Sequence, residues 1–324
     1  MSPIEIFTTL GQRLATFGHD AATREVMRLA IENNGWFEEV DILRAVEAIR
    51  LKMLDKEQLT RWLSDYPAPT NSPRRVAVIM AGNIPLVGFF DLMCVVVSGH
   101  ECYMKPSSKD THLMRFIIDE LKSIDSSLRI FDYSADDHYD MVIATGGDEA
   151  NRYFNEHFNG CKRLLRGSRH SVAVLTGEED EATLKALQRD ITAYSGLGCR
   201  SVSIIFLPEG HTPQLPITKA PNAKLERNIR QMRALLTMQQ REFIDCGAFL
   251  LIEGHDFPTS LATVTLRHYH NIEEAEEWIA SNRDKIQCVV SSTQTEGHIA
   301  PGEAQYPTLW DYADGVDTMH FLLD

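Results

Sequence analysis

Residues 74–106 read RRVAVIMAGNIPLVGFFDLMCVVVSGHECYMKP, and the fold class follows from this stretch. RRVAVIM (74–80) is short, β-branched and apolar without polar alternation, the composition of a strand buried on both faces of a parallel sheet. The apolar segment from Pro85 to Ser98 suits a covering helix, with Pro85 in the first turn, where a missing N–H costs nothing. ECYMKP (101–106) is the next strand, so the stretch is one βαβ unit. The alternation continues through THLMRFIIDELKSI (111–124, helix), LRIFDY (128–133) and DMVIAT (140–145, strands), EANRYFNEHF (149–158, helix) and SVAVLT (171–176, strand). Such a sequence predicts an α/β protein with a parallel sheet of nucleotide-binding type.

Upstream, Ile42, Val46, Ile49 and Met53 recur at the helical period, and Asn34-Gly35 breaks the first 66 residues into helical pieces. SDYPAPTNSP (64–73) then forms an extended connector, because Pro67, Pro69 and Pro73 fix φ and remove donors. Downstream, a second α/β stretch begins near Gly177. It comprises a helix over 181–196, a strand SVSIIFL (201–207), a helix from Ala223 to Phe243, and strands ATVTLRHY (262–269) and QCVVSS (287–292) around a helix over 273–284. The tail GEAQYPTLWDYADGVDTMHFLLD (302–324) is rich in aromatic and aliphatic residues, so it docks on a domain or on a neighbouring subunit of a homo-oligomer. The expected organisation is therefore a helical segment over 1–66, a dinucleotide-binding domain over 67–176, a catalytic domain over 177–300 and a docking or oligomerisation tail over 301–324.

A length of 324 residues accommodates two such domains. The formal charge of −14 argues against a nucleic-acid partner, which requires clustered Lys and Arg. No apolar run reaches membrane-span length and the N-terminus lacks a secretory pattern, so a cytoplasmic location is expected. The six cysteines show no CxxC pair, which points to thiols rather than disulfides or zinc ligands.

Several residues can carry chemistry. Gly82 and Asn83 close the first strand at its carboxyl end, where open parallel sheets bind ligands, and the Asn83 amide can donate to an oxyanion. An Asn at that point also closes an ordinary turn. Lys105 ends the next strand, a place either for a solvated lysine or for one that bonds a ribose or phosphate. Gly146 and Gly147 separate a strand from a helix and permit a pyrophosphate to approach the helix N-terminus, although Gly pairs also make plain turns. Cys199 follows a glycine-rich bend in AYSGLGCRSVSIIF (193–206), which can expose a thiol beside Arg200; a cysteine is otherwise a small core residue. His268 and His270 alternate along a strand without enough further ligands for a metal site.

Taken in order, these segments resemble the aldehyde dehydrogenase superfamily, and within it the LuxC-like acyl-CoA reductases, from about Arg74 to the C-terminus. AGNIP resembles the segment bearing the oxyanion-binding Asn, which implies that role for Asn83 beside Gly82. YMKPSS resembles the cofactor-ribose element, implying contacts from Lys105 and Ser107. ATGGDE resembles the pyrophosphate turn, implying Thr145, Gly146 and Gly147. SGLGCRSVSIIF resembles the segment of the nucleophile, implying Cys199, and DYADGVDTMHFL resembles the tail of LuxC-type reductases. The resemblance implies an aldehyde-dehydrogenase-like fold, a Rossmann-type sheet plus a second α/β catalytic domain.

Two departures refine the expectation. LLRGSRH (164–170) puts Leu165 where hydrolytic members carry a water-activating Glu, which favours acyl-CoA chemistry over hydrolysis. Ser108 and Lys109 follow the Lys-Pro-Ser element where NAD-selective members often carry a Glu, which favours NADPH, with NADH as the alternative. The implied activity is NADPH-dependent reduction of acyl-CoA to an aldehyde through an acyl-cysteine, with His170 a candidate proton donor given no firm role. Rival readings are an acyl-phosphate reductase, an aldehyde-oxidising enzyme and a non-catalytic nucleotide-binding paralogue. The last is suggested by the short chain and by the lack of a match to the superfamily's cofactor Glu.

Overall fold

Four helices open the chain: α1 (Pro3–Leu14), α2 (Ala21–Asn33), α3 (Glu39–Met53) and α4 (Lys56–Ser64). The computed structural model describes residues 1–293 and 295–324, with Asp148 described by its backbone alone. Ser2 and Glu5 form a reciprocal capping box ahead of α1, and Asp20 and Asp55 cap α2 and α4 by accepting N–H groups of their first turns. Ile42, Val46, Ile49 and Met53 of α3 are all buried, as their spacing predicts.

The chain forms two units. The first contains Met1–Ser168 and Tyr306–Asp324; the second contains Arg169–Gln305. Among the described residues, the first unit holds a five-stranded sheet of β1 (Arg75–Ile79), β2 (Glu101–Lys105), β3 (Ile130–Asp132), β4 (Met141–Thr145) and β5 (Lys162–Arg166). Its order is β3-β2-β1-β4-β5 and every pairing is parallel. Helices α5 (Phe89–Val97), α6 (Thr111–Ile124) and α7 (Asp148–His157) make the connections. One core cluster contains Phe7 of α1, Ile42 of α3, Trp62 of α4, Phe89 and Met93 of α5, and Val76 and Val78 of β1. The C-terminal segment belongs to the same core: Leu309, Met319 and Leu322 are buried in it, and Arg166 ties Asp91 to Thr318 and to the Ala313 carbonyl. The tail's apolar residues are thus used within the chain and give no support to self-association.

The second unit holds β6 (His170–Val174), β7 (Val202–Pro208), β8 (Ile244–Asp245), β9 (Leu250–Glu253), β10 (Thr263–Tyr269) and β11 (Ile286–Ser291). Its order is β11-β6-β7-β10-β9-β8, parallel except for the short β8. Helices α8 (Glu181–Thr192), α9 (Ala223–Met238) and α10 (Ile272–Ser281) accompany it. Among the described residues, no helix is long and apolar enough to cross a membrane.

The structure departs from the sequence reading in identifiable places. SVAVLT lies in the second sheet, between β11 and β7, so the units divide at Ser168 whereas the sequence reading placed a boundary after 176. β5 was not anticipated because KRLLR carries three cations, which an edge strand tolerates. α5 starts at Phe89 rather than Pro85, since Leu86 has φ 57° and a turn runs through Gly88. α9 ends at Met238 rather than Phe243, where Gln240 turns left-handed at φ 53°.

Candidate active site

At the carboxyl edge of the first sheet, β1 and β4 are neighbours, while the chain leaves β1 toward β2 on the other side. That reversal opens a crevice between adjacent loops. The loop after β1 carries Gly82 and Asn83, the loop after β2 carries Ser107 to Asp110, and the loop after β4 carries Gly146 and Gly147. Gly82 brings the first two together: a Cβ there would lie 2.5 Å from Ser107 Oγ and 3.1 Å from Lys109 Cβ. Only glycine permits so close an approach.

These loops are also held from the helical segment. Asn34 Nδ2 donates to the Gly82 carbonyl at 3.3 Å, and Asn33 Nδ2 donates to the Ser108 carbonyl at 2.6 Å. Asp110, only 1 % exposed, accepts the Leu86 N–H through Oδ2 at 2.8 Å. Burial pushes this carboxyl up to about 8, against a smaller opposing effect of the Leu86 N–H. The sequence reading gives none of these three residues a role at the site: Asn34-Gly35 reads only as a helix break, and Asn33 and Asp110 carry no motif of their own.

Ser107 Oγ accepts the Lys109 N–H at 3.3 Å, and its carbonyl accepts from Asp110 N and from Thr111 Oγ1. Ser108 and Lys109 are exposed, and the exposed Lys105 places Nζ 5.3 Å from the Tyr133 ring centroid. Beyond β4, Thr145 pairs in register with Arg166, and the Gly146 N–H donates to the Arg166 carbonyl at 3.1 Å. A Cβ on Gly146 would lie 2.7 Å from that of Ala150; Gly147, the N-cap of α7, is exposed with nothing within 4 Å of its Cβ position. The close-packed glycine and the open helix N-terminus suit a dinucleotide, whose phosphates need backbone N–H groups without intervening side chains. The first unit thus brings Gly82, Ser107 and Lys109 together, with Thr145, Gly146 and Gly147 following the strand next to β1.

Cys199 lies in the second unit, half-buried on a turn that ends where β7 begins at Val202. The turn is built on an uncommon backbone: Tyr194, Ser195 and Gly196 have φ of 53°, 58° and 74° in succession. Two adjacent non-glycine residues in the left-handed region persist only where neighbours fix them. Asn222 Nδ2 donates to Ser195 Oγ at 2.8 Å, and the Leu197 N–H donates to the Tyr194 carbonyl. Ser171 Oγ donates to the Cys199 carbonyl at 2.9 Å, and Arg200 Nε donates to the Ala304 carbonyl at 2.5 Å. Asp190 of α8 holds the same 302–304 segment by accepting the Gly302 and Ala304 N–H groups. Sequence reading identified the bend from its glycines but not Ser171, Asn222 or Asp190, which are distant in sequence.

Other candidates have structural roles. Burial pushes the thiols of Cys94, Cys102, Cys161 and Cys246 up, which disfavours the nucleophilic thiolate. Cys288 is buried beside Ser171 Oγ at 3.1 Å. His170 bonds Ser203 Oγ and stacks on Phe257, and burial lowers its pKa. His268 and His270 pair with Glu253 and Glu209, and no cluster of three or more metal-ligating side chains occurs among the described residues. Leu165 is half-buried near the end of β5, packed against the cluster that includes Ala144 and Phe158.

A five-stranded parallel sheet, together with a second, mostly parallel sheet whose β7 follows a cysteine-bearing turn, defines the aldehyde-dehydrogenase-like α/β class. Solved structures with this fold include aldehyde dehydrogenase 21 of Physcomitrella patens (TM-score 0.61, 12 % identity, covering 91 % of this chain and 73 % of that one). An oxidoreductase of Marinobacter aquaeolei is similar (TM-score 0.63, 12 % identity, 94 % and 78 %). A family model described as acyl-CoA reductase (LuxC) matches residues 52–232, more than half of the chain, and the chain belongs to that family. Its curated relatives include the long-chain acyl-protein thioester reductase of Aliivibrio fischeri, 24 % identical over 200 residues, covering 56 % of this chain and 40 % of the relative. The long-chain acyl-protein thioester reductase 2 of Photobacterium leiognathi is 24 % identical over 193 residues, covering 54 % and 39 %. The chain therefore spans about two fifths of the length of these relatives.

Proposed function

We propose that this chain is a cytoplasmic enzyme that reduces an acyl thioester to an aldehyde through Cys199, with acyl-CoA as the donor and NADPH as the reductant. The observation that carries this reading is the half-buried thiol on a strained turn at the start of β7, in a member of the LuxC family. Cys199 Sγ attacks the thioester carbonyl carbon, forming a C–S bond while the carbonyl electrons move to oxygen. Asn83 steadies that oxyanion, whose collapse breaks the bond to CoA and releases the CoA thiolate. When bound, NADPH supplies the hydride that takes the acyl group to the aldehyde level. Departure of the aldehyde breaks the C–S bond and returns the Cys199 thiolate. Leu165 offers no base to activate water, so the acyl-cysteine is protected from hydrolysis at that position.

Gly82, Lys105, Ser107, Ser108, Lys109, Thr145, Gly146 and Gly147 would hold the cofactor. The glycine-enforced approach of Lys109 to Gly82 supports a role for its ammonium opposite a 2′-phosphate, which is why NADPH is preferred here over NADH. A second reading takes the acyl group from a protein thioester, in keeping with the names of the curated relatives.

Intact-protein mass spectrometry after mixing with long-chain acyl-CoA, without NADPH, tests the reading. An acyl adduct that maps to Cys199 with stoichiometric CoA release is expected. Adduct formation only from an acylated protein would select the second reading. No adduct from either donor, together with no NADPH oxidation, would overturn both.

A further inference from the structure

The loop that carries Asn83 is anchored on both sides of that residue by side chains the reaction itself does not require. On one side, Asn34 Nδ2 donates to the Gly82 carbonyl; on the other, Asp110 Oδ2 accepts the Leu86 N–H at 2.8 Å. Leu86 has φ 57°, a conformation that costs a branched side chain energy and persists only where the surroundings fix it. Leu86 is buried, and its carbonyl accepts the Phe89 N–H that starts α5, so the left-handed residue links the loop to the helix. Asp110 belongs to the neighbouring loop: its N–H donates to the Ser107 carbonyl, and α6 follows it directly.

The second carboxyl oxygen makes this arrangement unusual. Among the described residues, Asp110 Oδ1 is buried without a hydrogen-bond partner, and Asp110 forms no side-chain cap to α6. Burying a carboxyl with one of its oxygens unanswered is unfavourable. Among the described residues, the carboxyl has one partner, the backbone N–H of Leu86.

We infer that Asp110 is a positioning residue: by accepting the Leu86 N–H it holds the left-handed turn that fixes the loop carrying Asn83. The inference rests on the proposed oxyanion role of Asn83. Asp110 acts in its neutral form near pH 7, because burial holds its proton to about pH 8. The amide of asparagine has the shape of that neutral carboxyl and keeps an oxygen to accept the same N–H.

The test is steady-state kinetics of acyl-CoA reduction at pH 7 for Asp110→Leu, Asp110→Asn, Asn83→Ala and the Asn83→Ala/Asp110→Leu double variant. Asp110→Leu is expected to lower kcat at least tenfold while the KM for NADPH moves less than threefold, and Asp110→Asn to stay within threefold of the parent in both. The double variant should be no more than threefold slower than Asn83→Ala, since both changes remove the same stabilisation. If Asp110→Leu does not fold, Asp110→Ala, which adds no volume, is read against the same limits. The inference is overturned on its own if Asn83→Ala loses kcat while the folded Asp110 variant does not, or if Asp110→Asn is as slow as Asp110→Leu. It is also overturned if the KM for NADPH rises as much as kcat falls, which marks a general loss of structure. An unchanged kcat in Asn83→Ala would instead sink the oxyanion reading from which it starts.

Discussion

Asp110 in the first unit and Asp190 in the second are buried to the same degree, each 1 % exposed, and each holds a loop of functional interest. They differ in how many backbone N–H groups reach the carboxyl. Asp110 receives one, from Leu86; Asp190 receives two, from Gly302 at 2.6 Å and Ala304 at 3.2 Å. Burial, the largest influence on both, pushes Asp110 up to about 8 and Asp190, which is less deeply enclosed and has a second N–H and the nearby Arg189 favouring the anion, to about 6. Near neutral pH the first loop is thus held by an uncharged acceptor and the second by a carboxylate. With their surfaces equally hidden, the two carboxyls differ both in the depth of protein around them and in the number of donors that answer them.

The contrast can be broken most severely at the thiol whose turn the second unit supports. Cys199→Ala is expected to lower acyl-CoA reduction by about a thousandfold or more and to abolish acyl adduct formation, as loss of a covalent nucleophile does. A variant that retains the parent's rate would remove Cys199 from the reaction. The carboxyls themselves come next. Asp190→Asn keeps one good acceptor for two N–H groups and is expected to destabilise its unit by roughly 1–3 kcal/mol in urea melts at pH 7. Asp110→Asn, which replaces a neutral acid by a non-titrating isostere and removes an ionisation open only to the unfolded chain, should not lower stability at pH 7 and should raise it. Equal losses in the two variants would show that donor number does not separate the sites.

The pH dependence sharpens the same contrast. Both folded-state pKa values lie above the ordinary value of 3.8, so the folded protein holds protons that the unfolded chain has released, and stability falls as pH rises. The loss from Asp190 is complete near pH 6, whereas that from Asp110 continues to about pH 8. Between pH 6 and 8 the parent should lose up to about 1.4 kcal/mol per pH unit through Asp110. Urea melts of Asp110→Asn across that range should lack this component; an unchanged slope would contradict the assignment. The smallest expected effect lies outside both carboxyls. Lys109→Glu should lower the preference for NADPH over NADH about tenfold, the worth of one exposed charge contact to phosphate, as read from the ratio of kcat/KM values. No change in that ratio would free Lys109 from cofactor selection.

Strands and helices whose apolar pattern is continuous were legible from sequence. RRVAVIM, DMVIAT and SVSIIFL emerge as β1, β4 and β7 because each is buried along most of its length. KRLLR was illegible because only Leu164 and Arg166 are buried in β5 and the strand is an edge. The sheet to which SVAVLT belongs could not be read locally, since partnership is decided by Val172 pairing with Ile204 and Val289 far along the chain. The same limit applies to the site. Gly82, Gly146 and Cys199 stand in short motifs with their own punctuation, whereas Asn33, Asn34, Ser171 and Asp190 act on loops tens of residues away or more. Supporting hydrogen bonds over such separations leave no periodic trace.

The first unit is assembled from two separated stretches of chain, Met1–Ser168 and Tyr306–Asp324. During synthesis, Arg166 and Asp91 emerge long before the Ala313 carbonyl and the Thr318 hydroxyl that complete their buried cluster. Closure of the first unit's core around the Arg166 guanidinium thus depends on two acceptors that follow the whole of the second unit in sequence.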